Sequence, residues 1–278
     1  MGRSARLAVT VTSSVAGAGV TAVVVREVLR RQAAVARRRI GKPLGELAPD
    51  SDRVWRRSLE GAPVELLFLG DSIAAGLGAE RRKDTLGARL AKGLARRTHR
   101  PVRLRTAAVV GSESSALAGQ LDALPSDYVA DLAVIVVGGN DVTHRVPVSV
   151  ATGHLTDAVG RLRERGAAVV VATCPDLRSL RAVPQPLRSL ASRLSRQLAN
   201  EQAEAATAAG AEVFSLRRTV GPMFLSEPDE MFSLDRFHPS ALGYRRTAEA
   251  LLPVALQALA SRLTAQHPPA PSLAQPAG

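Results

Sequence analysis

A serine follows the apolar run Val64–Leu69, in the triplet Gly70-Asp71-Ser72. Such a run indicates a buried strand of a parallel sheet, and a helix that begins after it presents free N–H groups and a positive dipole end. A serine hydroxyl at this point lies at the carboxyl edge of the sheet, where a nucleophile should be. The alternative is a structural role, since Asp and Ser are also favoured helix caps.

A nucleophilic serine needs a base, and the sequence offers five histidines. Asp235 and His238 stand three residues apart, just before the last helical pattern. In a tight turn this spacing brings the two side chains together, so that the carboxylate accepts the imidazole N–H. His144, close behind Asn140, is a second candidate for the base. A surface pair in a helix-capping loop is the alternative interpretation of Asp235 and His238.

Acyl transfer through a serine also needs hydrogen-bond donors for the oxyanion. The candidates are the backbone N–H groups of Ser72 and Gly111 and the side-chain amide of Asn140. A glycine lets a backbone N–H approach a ligand closely, because no Cβ intervenes. Asn140 follows another apolar run, and its alternative role is that of a turn residue.

Strands that alternate with helices must position these residues. The sequence predicts five strands, at residues 64–69, 102–110, 132–137, 168–173 and 212–216. The alternation indicates a flavodoxin-like α/β fold, a three-layer α/β/α sandwich with a five-stranded parallel sheet. The expected strand order 2-1-3-4-5 has its switch point between strands 1 and 3. The residues that follow strands 1, 2 and 3 then converge on one crevice, and these are Ser72, Gly111 and Asn140.

Composition restricts the classes of function. The chain of 278 residues is 46% hydrophobic, enough for one sizeable α/β domain. Its formal charge of +12 is concentrated in residues 1–60, which hold 12 Lys and Arg against 5 Asp and Glu. Neither zinc-finger spacing nor an aromatic RNA-binding signature accompanies this charge, which argues against nucleic-acid binding. The single cysteine, Cys174, excludes an internal disulfide and a cysteine metal cluster, and we predict no metal site.

The ends of the chain differ from its middle. Residues 1–42 are hydrophobic and basic, and the uncharged stretch 7–25 is just long enough to span a bilayer, which predicts membrane association. An uncleaved anchor, a cleaved signal peptide and a helix packed on the domain all stay open, and so does the face of the membrane on which the domain lies. Residues 43–63 are predicted as a linker, 64–264 as the catalytic domain and 265–278 as a disordered tail.

Four blocks of the sequence, in this order, resemble those of the SGNH (GDSL-type) hydrolase family of esterases, lipases and acyl-group transferases. The blocks are Gly70-Asp71-Ser72, Gly111, Gly138-Gly139-Asn140-Asp141 and Asp235-Arg236-Phe237-His238. The resemblance covers roughly residues 64–262. It departs from the family pattern at Thr106, where an Asn is common.

The resemblance implies a serine esterase that needs no metal or organic cofactor. Ser72 would attack an ester carbonyl, His238 would take and return the proton, and Asp235 would hold the imidazole. Ser72, Gly111 and Asn140 would stabilise the oxyanion. A small-molecule or lipid ester would be hydrolysed through an acyl-serine intermediate. The alternative is an acyltransferase or deacetylase that acts on a sugar or lipid hydroxyl. The oligomeric state stays open.

Most of the few aromatic residues lie close to His238 in the sequence. Together with two methionines they form the set Met223, Phe224, Met231, Phe232 and Phe237. They either line an acyl pocket or form a satellite hydrophobic cluster under a loop.

Overall fold

A computed structural model describes residues 23–41 and 43–266 of the chain. Its strands are β1 (Arg53–Trp55), β2 (Val64–Gly70), β3 (Val102–Thr106), β4 (Leu132–Val136), β5 (Ala168–Ala172) and β6 (Glu212–Phe214). They form one sheet in the order β1-β3-β2-β4-β5-β6. The strands from β2 to β6 pair in parallel, which confirms the order expected from the sequence.

Helices connect the strands and cover both faces of the sheet. They are α1 (residues 23–40), α2 (Ser72–Ala75), α3 (Leu86–Thr98), α4 (Leu117–Asp122), α5 (Gly139–His144), α6 (Val148–Glu164), α7 (Leu187–Ala208), α8 (Leu216–Thr219), α9 (Gly221–Ser226), α10 (Pro228–Met231) and α11 (Ala241–Gln266). The sheet between two helical layers confirms the predicted three-layer sandwich. The short helices α8 to α10 follow β6 and lead the chain back to the edge where β2 ends.

Alternate side chains of β2 pack on opposite faces of the sheet. Leu66 and Phe68 pack in the layer of α3 and α11, whereas Leu67 and Leu69 pack in the layer of α4 and α6. All four side chains are fully buried. Burial on both faces explains why residues 66–69 form a continuous apolar run rather than an alternating one. It also fixes the register of β2, and with it the position of the residues at the end of the strand.

The sheet has six strands, so the prediction of five strands is wrong by one edge strand. β1 lies within residues 43–63 and pairs antiparallel with β3. Three residues are too few to show a strand period, so long-range contacts rather than local propensity form this strand. Asp52 accepts the Thr106 N–H at 2.9 Å. The Trp55 ring packs against the core, with Lys92 Nζ 4.6 Å from its centroid.

The predicted second strand also ends earlier than expected, at Thr106 instead of residue 110. Ala107 and Val109 still donate their N–H groups to carbonyl oxygens of β2, at 2.8 and 3.1 Å. The chain thus leaves the regular ladder while it continues alongside β2 toward Gly111.

α1 lies against the loop that precedes α7. The Gln32 side chain joins them, since its Nε2 donates to the Gln185 carbonyl at 2.5 Å and its Oε1 accepts the Leu187 N–H at 2.9 Å. Among residues 23–41 and 43–266, no helix combines the length and apolarity that a membrane crossing needs.

Two predictions for the chain ends lie largely outside the described residues. These are the span at residues 7–25, of which the structure describes only 23–25, and the tail at 265–278, of which it describes only 265–266. Both stay predictions, as do membrane association and the domain boundaries.

Candidate active site

Ser72 is the first residue of α2, directly beyond the carboxyl end of β2. The chain turns at Gly70, where φ is +125° and a Cβ would lie 1.9 Å from the Val136 carbonyl oxygen of β4. Only glycine fits between the two strands at this point. Asp71 caps α2, because its Oδ1 accepts the Ile73 N–H at 2.9 Å. The capping role therefore belongs to Asp71, and the Ser72 hydroxyl has a different partner.

That partner is His238, which in turn is hydrogen-bonded to Asp235. His238 Nε2 lies 2.8 Å from Ser72 Oγ, and its Nδ1 lies 2.6 Å from Asp235 Oδ2. The other carboxylate oxygen, Oδ1, accepts the Ser233 hydroxyl and the N–H groups of Phe237 and His238, each at 2.9 Å. The His238 and Asp235 side chains are only 13% and 5% exposed. Asp235 and His238, from one turn, thus form a shielded, hydrogen-bonded chain with Ser72, which is far away in the sequence.

Two contacts hold the loop of His238 against the segment that follows α2. Gly78 has a φ of +104°, and a Cβ there would lie 2.3 Å from the Pro239 carbonyl oxygen, so the two backbones approach closely. Tyr244 of α11 is fully buried and donates its hydroxyl to the Leu77 carbonyl at 2.6 Å. The last helix therefore positions His238 relative to the helix that carries Ser72.

Two buried glutamines support the strand ends, and sequence reasoning missed both. Gln120 bonds both backbone polar groups of Gly70, since its Oε1 accepts the Gly70 N–H and its Nε2 donates to the Gly70 carbonyl, both at 2.8 Å. Gln202 accepts the Cys174 N–H at 2.7 Å and donates to the Val137 carbonyl at 3.0 Å. Each glutamine interrupts the apolar face of its helix. A buried polar side chain on such a face requires hydrogen-bond partners, and this is the signal that identifies them.

Asn140 lies in the first turn of α5, beyond the end of β4. Its Nδ2 donates to the Ser112 carbonyl at 2.9 Å, a bond that uses one of its two amide hydrogens. The next residue, Asp141, accepts the Ser114 N–H at 3.1 Å. Both bonds tie the start of α5 to the turn that contains Gly111. Asn140 borders the same cavity as Ser72, whereas Gly111 borders an adjoining groove that also reaches His238.

His144, the second candidate for the base, does not contact Ser72. Its Nδ1 lies 2.6 Å from Oε1 of Glu113, and the His144 side chain is 59% exposed. The hydrogen-bonding position beside the serine belongs to His238.

An apolar cavity of about 70 Å³ opens beside Ser72. Its apolar lining comes from the loop after β5 and from the segment between β6 and His238, and includes Leu177, Leu180, Leu216, Val220, Phe224 and Phe232. The rings of Phe224 and Phe232 meet edge to face, with centroids 5.0 Å apart. Met223 and Met231 pack in the hydrophobic core instead. The three aromatic members of the set, Phe224, Phe232 and Phe237, all line the cavity. That the cavity holds an acyl group stays a prediction.

Burial and hydrogen bonding determine the charge of two carboxyl groups near Ser72. Burial alone would raise the pKa of Asp235, but hydrogen bonds from the side chain and backbone of His238 and from the Phe237 N–H outweigh it and lower the pKa to about 2. For Asp71, burial dominates and raises the pKa to about 7, although the Ile73 N–H donates to this carboxylate. Asp235 is therefore ionised at neutral pH, and as a carboxylate it accepts the hydrogen bond from His238 Nδ1.

The raised pKa of Asp71 predicts a specific pH dependence of stability. The folded chain holds this proton up to about pH 7, whereas the unfolded chain releases it near pH 4. Stability therefore falls as pH rises between these values. Asp71→Asn retains the capping oxygen and removes the titration. Urea unfolding should show the Asn variant gaining roughly 2–3 kcal/mol on the wild type between pH 5 and pH 8. Asp157→Asn, at an exposed site on α6, is the control, and a difference independent of pH would contradict the prediction.

The sequence profile of the GDSL-like lipase/acylhydrolase family matches residues 68–246. The chain belongs to this family. A GDSL-like esterase from Mycobacterium tuberculosis is 37% identical to it over 278 residues, which cover 95% of this chain and 87% of that protein. Membership of the GDSL-like family supports ester hydrolysis as the class of activity and small-molecule esters as the class of substrate.

Solved structures of more distant proteins share the fold of this GDSL-like chain. An acetylxylan esterase from Geobacillus stearothermophilus has a TM-score of 0.55 at 18% identity and covers 70% of this chain and 95% of its own. A lipase from a goat rumen metagenome has a TM-score of 0.57 at 19% identity, with 69% and 97% covered. An extracellular lipase from Streptomyces rimosus has a TM-score of 0.52 at 18% identity, with 70% and 99% covered. At these identities the likeness shows the fold alone.

Proposed function

We propose that this GDSL-like chain is a serine esterase that hydrolyses carboxylic esters through an acyl-enzyme on Ser72. The observation that carries the proposal is the hydrogen-bonded chain from Asp235 through His238 to Ser72, with distances of 2.6 and 2.8 Å, at the mouth of an apolar cavity. A nucleophile, a base and a carboxylate that orients the base are what covalent acyl transfer requires.

In the first half of the reaction, Ser72 Oγ attacks the ester carbonyl carbon while His238 Nε2 accepts the hydroxyl proton. The ionised Asp235 stabilises the imidazolium that forms. The tetrahedral intermediate then breaks its bond to the alcohol oxygen, which takes the proton from His238. The alcohol departs and the acyl group stays on Ser72.

In the second half, water replaces the alcohol. His238 accepts a proton from this water as the water attacks the acyl carbon, and it returns the proton to Ser72 Oγ when the serine leaves. The products are a free acid and a regenerated serine.

The oxyanion of each tetrahedral intermediate needs donors that are already in position. We assign this role to the backbone N–H groups of Ser72 and Gly111 and to the second amide hydrogen of Asn140. The bond from Asn140 to Ser112 fixes the amide plane before substrate arrives, so that little reorganisation is needed at the moment of reaction.

Replacing Asn140 tests this assignment. Asn140→Ala should lower kcat by roughly 10²–10³-fold with little change in KM, because the lost hydrogen bond forms only in the transition state. Steady-state kinetics on a p-nitrophenyl ester measure both constants. Asn200→Ala, at an exposed position on α7, is the matched control. An effect confined to KM would mean that Asn140 binds the substrate instead.

The experiment that tests the proposed function combines turnover and covalent labelling. Purified protein should release p-nitrophenol from p-nitrophenyl acetate, and a serine-reactive fluorophosphonate should stop the reaction. Mass spectrometry of the labelled peptides should find the phosphonate on Ser72. Labelling elsewhere, or turnover that survives complete labelling, would contradict the proposal.

A further inference from the structure

The turn that contains Gly111 carries one of the three assigned oxyanion donors. We call residues 109–114 the Gly111 turn. Its first residue, Val109, donates its N–H to the Gly70 carbonyl at 3.1 Å, and the Val109 carbonyl accepts the Ser112 N–H at 3.2 Å. The strand β3 has already ended before this turn. The regular ladder of the sheet therefore does not position the turn, and other contacts must do so.

Gln120 takes the place of a strand partner where β3 has ended. Its Oε1 accepts the Gly70 N–H and its Nε2 donates to the Gly70 carbonyl. A side-chain amide offers the same kinds of donor and acceptor as a peptide unit, so it completes the hydrogen bonds of a strand end without a further strand. Gly70 is the residue from which the chain turns into Asp71 and Ser72. Gln120 therefore holds the turn that presents the nucleophile.

The same amide also reaches the Gly111 turn. A side-chain NH₂ group carries two hydrogens. One is donated to the Gly70 carbonyl, and the other to the Ser112 hydroxyl oxygen, which lies 3.4 Å from Gln120 Nε2. The Ser112 carbonyl in turn accepts the Asn140 amide at 2.9 Å. One continuous chain of hydrogen bonds thus joins Gly70, Gln120, Ser112 and Asn140, and it connects the segments that carry all three assigned oxyanion donors.

Gln120 occupies a singular place in this chain of hydrogen bonds. Another bond of the Gly111 turn, from the Ser114 N–H to Asp141, leads to α5 and not to the nucleophile. Among the residues that the structure describes, Gln120 is the only side chain that bonds both the Gly70 backbone and the Gly111 turn. It is only 6% exposed, and a buried amide costs free energy unless its hydrogen bonds form. The two segments are therefore held together by one buried side chain.

We propose that Gln120 and Ser112 are positioning residues for ester hydrolysis, which set the distances between the oxyanion donors at Ser72, Gly111 and Asn140. The inference rests on the proposed esterase function. Neither Gln120 nor Ser112 borders the cavity beside Ser72 or the groove beside Gly111. An effect of either residue on the kcat of a folded variant therefore acts through the groups that it holds.

Gln120→Met tests the role of the amide, because it removes both polar groups and keeps a side chain of similar size. A misplacement of about 1 Å can cost about 100-fold in rate, so kcat for p-nitrophenyl acetate should fall by roughly 10–100-fold. KM should stay within about twofold, since ground-state binding does not use the oxyanion donors. Active-site titration with a fluorophosphonate corrects kcat for the fraction of folded protein. A corrected kcat within about twofold of the wild type would overturn the role of Gln120.

Ser112→Ala tests the next link, and it decides the question if Gln120→Met does not fold. It removes only the hydroxyl and leaves the carbonyl that Asn140 bonds. The loss of one neutral hydrogen bond should lower kcat by roughly threefold to tenfold, and Ser112→Thr, which keeps a hydroxyl, should restore about half of the wild-type kcat or more. Ser115→Ala, at an exposed serine of the same segment, is the matched control and should keep the wild-type kcat. Equal kcat values for Ser112→Ala and Ser115→Ala would refute the role of Ser112.

A double-mutant cycle shows whether Gln120 acts through the oxyanion donors. Once the Asn140 amide is gone, its positioning no longer matters, so Gln120→Met should cost less in the Asn140→Ala protein than in the wild type. The kcat of the double variant should exceed, by about threefold or more, the value obtained by multiplying the two single losses. Independent roles predict simple multiplication of the losses, and that result would contradict the proposal.

Asp131→Ala is the control for a loss of stability without a loss of positioning. Asp131 holds the opposite end of β2, since its Oδ2 accepts the Glu65 N–H at 2.9 Å and its Oδ1 lies 2.6 Å from an Arg262 nitrogen. Thermal unfolding should show that this variant, like Gln120→Met, is less stable than the wild type. Its kcat should nevertheless stay within about twofold of the wild type. An equal fall of kcat in both variants would mean that stability, and not positioning, determines turnover.

Failure of this inference is distinguishable from failure of the esterase proposal. If the Gln120 and Ser112 variants keep the wild-type kcat while Ser72→Ala abolishes hydrolysis of p-nitrophenyl acetate, the positioning role is wrong and the esterase function stands. If the Ser72→Ala protein retains hydrolysis, the esterase mechanism itself fails.

Discussion

Ser72→Ala should abolish ester hydrolysis while the fold stays intact. The substitution removes one oxygen atom, and Asp71 rather than Ser72 caps α2, so the helix keeps its cap. Without Oγ no acyl-enzyme forms, and His238 loses the hydroxyl whose proton it accepts. We expect kcat to fall by about 10⁴–10⁶-fold. The residual activity would come from the oxyanion donors and substrate binding.

Three measurements make this result decisive. Turnover of p-nitrophenyl acetate gives the loss of activity, thermal unfolding shows that the variant is folded, and fluorophosphonate labelling shows whether the nucleophile is gone. Ser149→Ala, at an exposed serine on α6, is the matched control and should keep full activity and labelling. A folded Ser72→Ala protein within tenfold of the wild-type rate would refute the assignment of the nucleophile.

The parts of this site that could be predicted are those encoded by local patterns. The apolar run before Ser72 shows that a strand ends there, and the parallel sheet brings the ends of three strands to one edge. The spacing of Asp235 and His238 is that of a single turn, so their 2.6 Å contact follows from local geometry. Within this group of three residues, only the contact of His238 with Ser72 joins residues far apart in the chain. The order of the sequence motifs was enough to predict that these two residues meet.

The parts that sequence reasoning missed depend on long-range contacts. β1 has too few residues to show a period, and it exists through its pairing with β3. Gln120 and Gln202 interrupt the apolar faces of their helices, but the backbone groups that they bond at the strand ends are known only from the structure. Residues 44–52 belong to a segment predicted as a linker, yet they line the groove beside His238. No local sequence pattern indicates that a segment preceding the predicted domain lies at the carboxyl edge of the sheet.

Asp235→Asn should lower the rate of ester hydrolysis nearly as much as loss of the nucleophile, although the Asp and Asn side chains have almost the same shape. Oδ1 of Asp235 accepts three hydrogen bonds, from Ser233, Phe237 and His238, which hold an oxygen atom at that position. In the Asn variant the side-chain oxygen must stay there, and the NH₂ group then takes the place of Oδ2. It faces His238 Nδ1 as a donor, so Nδ1 must become the acceptor.

The imidazole then carries its proton on Nε2, which points at Ser72 and cannot accept the serine proton. We expect kcat to fall by about 10³–10⁴-fold at neutral pH while KM changes little, because ground-state binding does not involve the carboxylate. Steady-state kinetics and the rate of fluorophosphonate labelling should fall together. Ser233→Ala removes one of the three donors but keeps the carboxylate, and we expect a loss of tenfold or less. If Asp235→Asn also lowered kcat only tenfold or less, the carboxylate would not set the tautomer of His238.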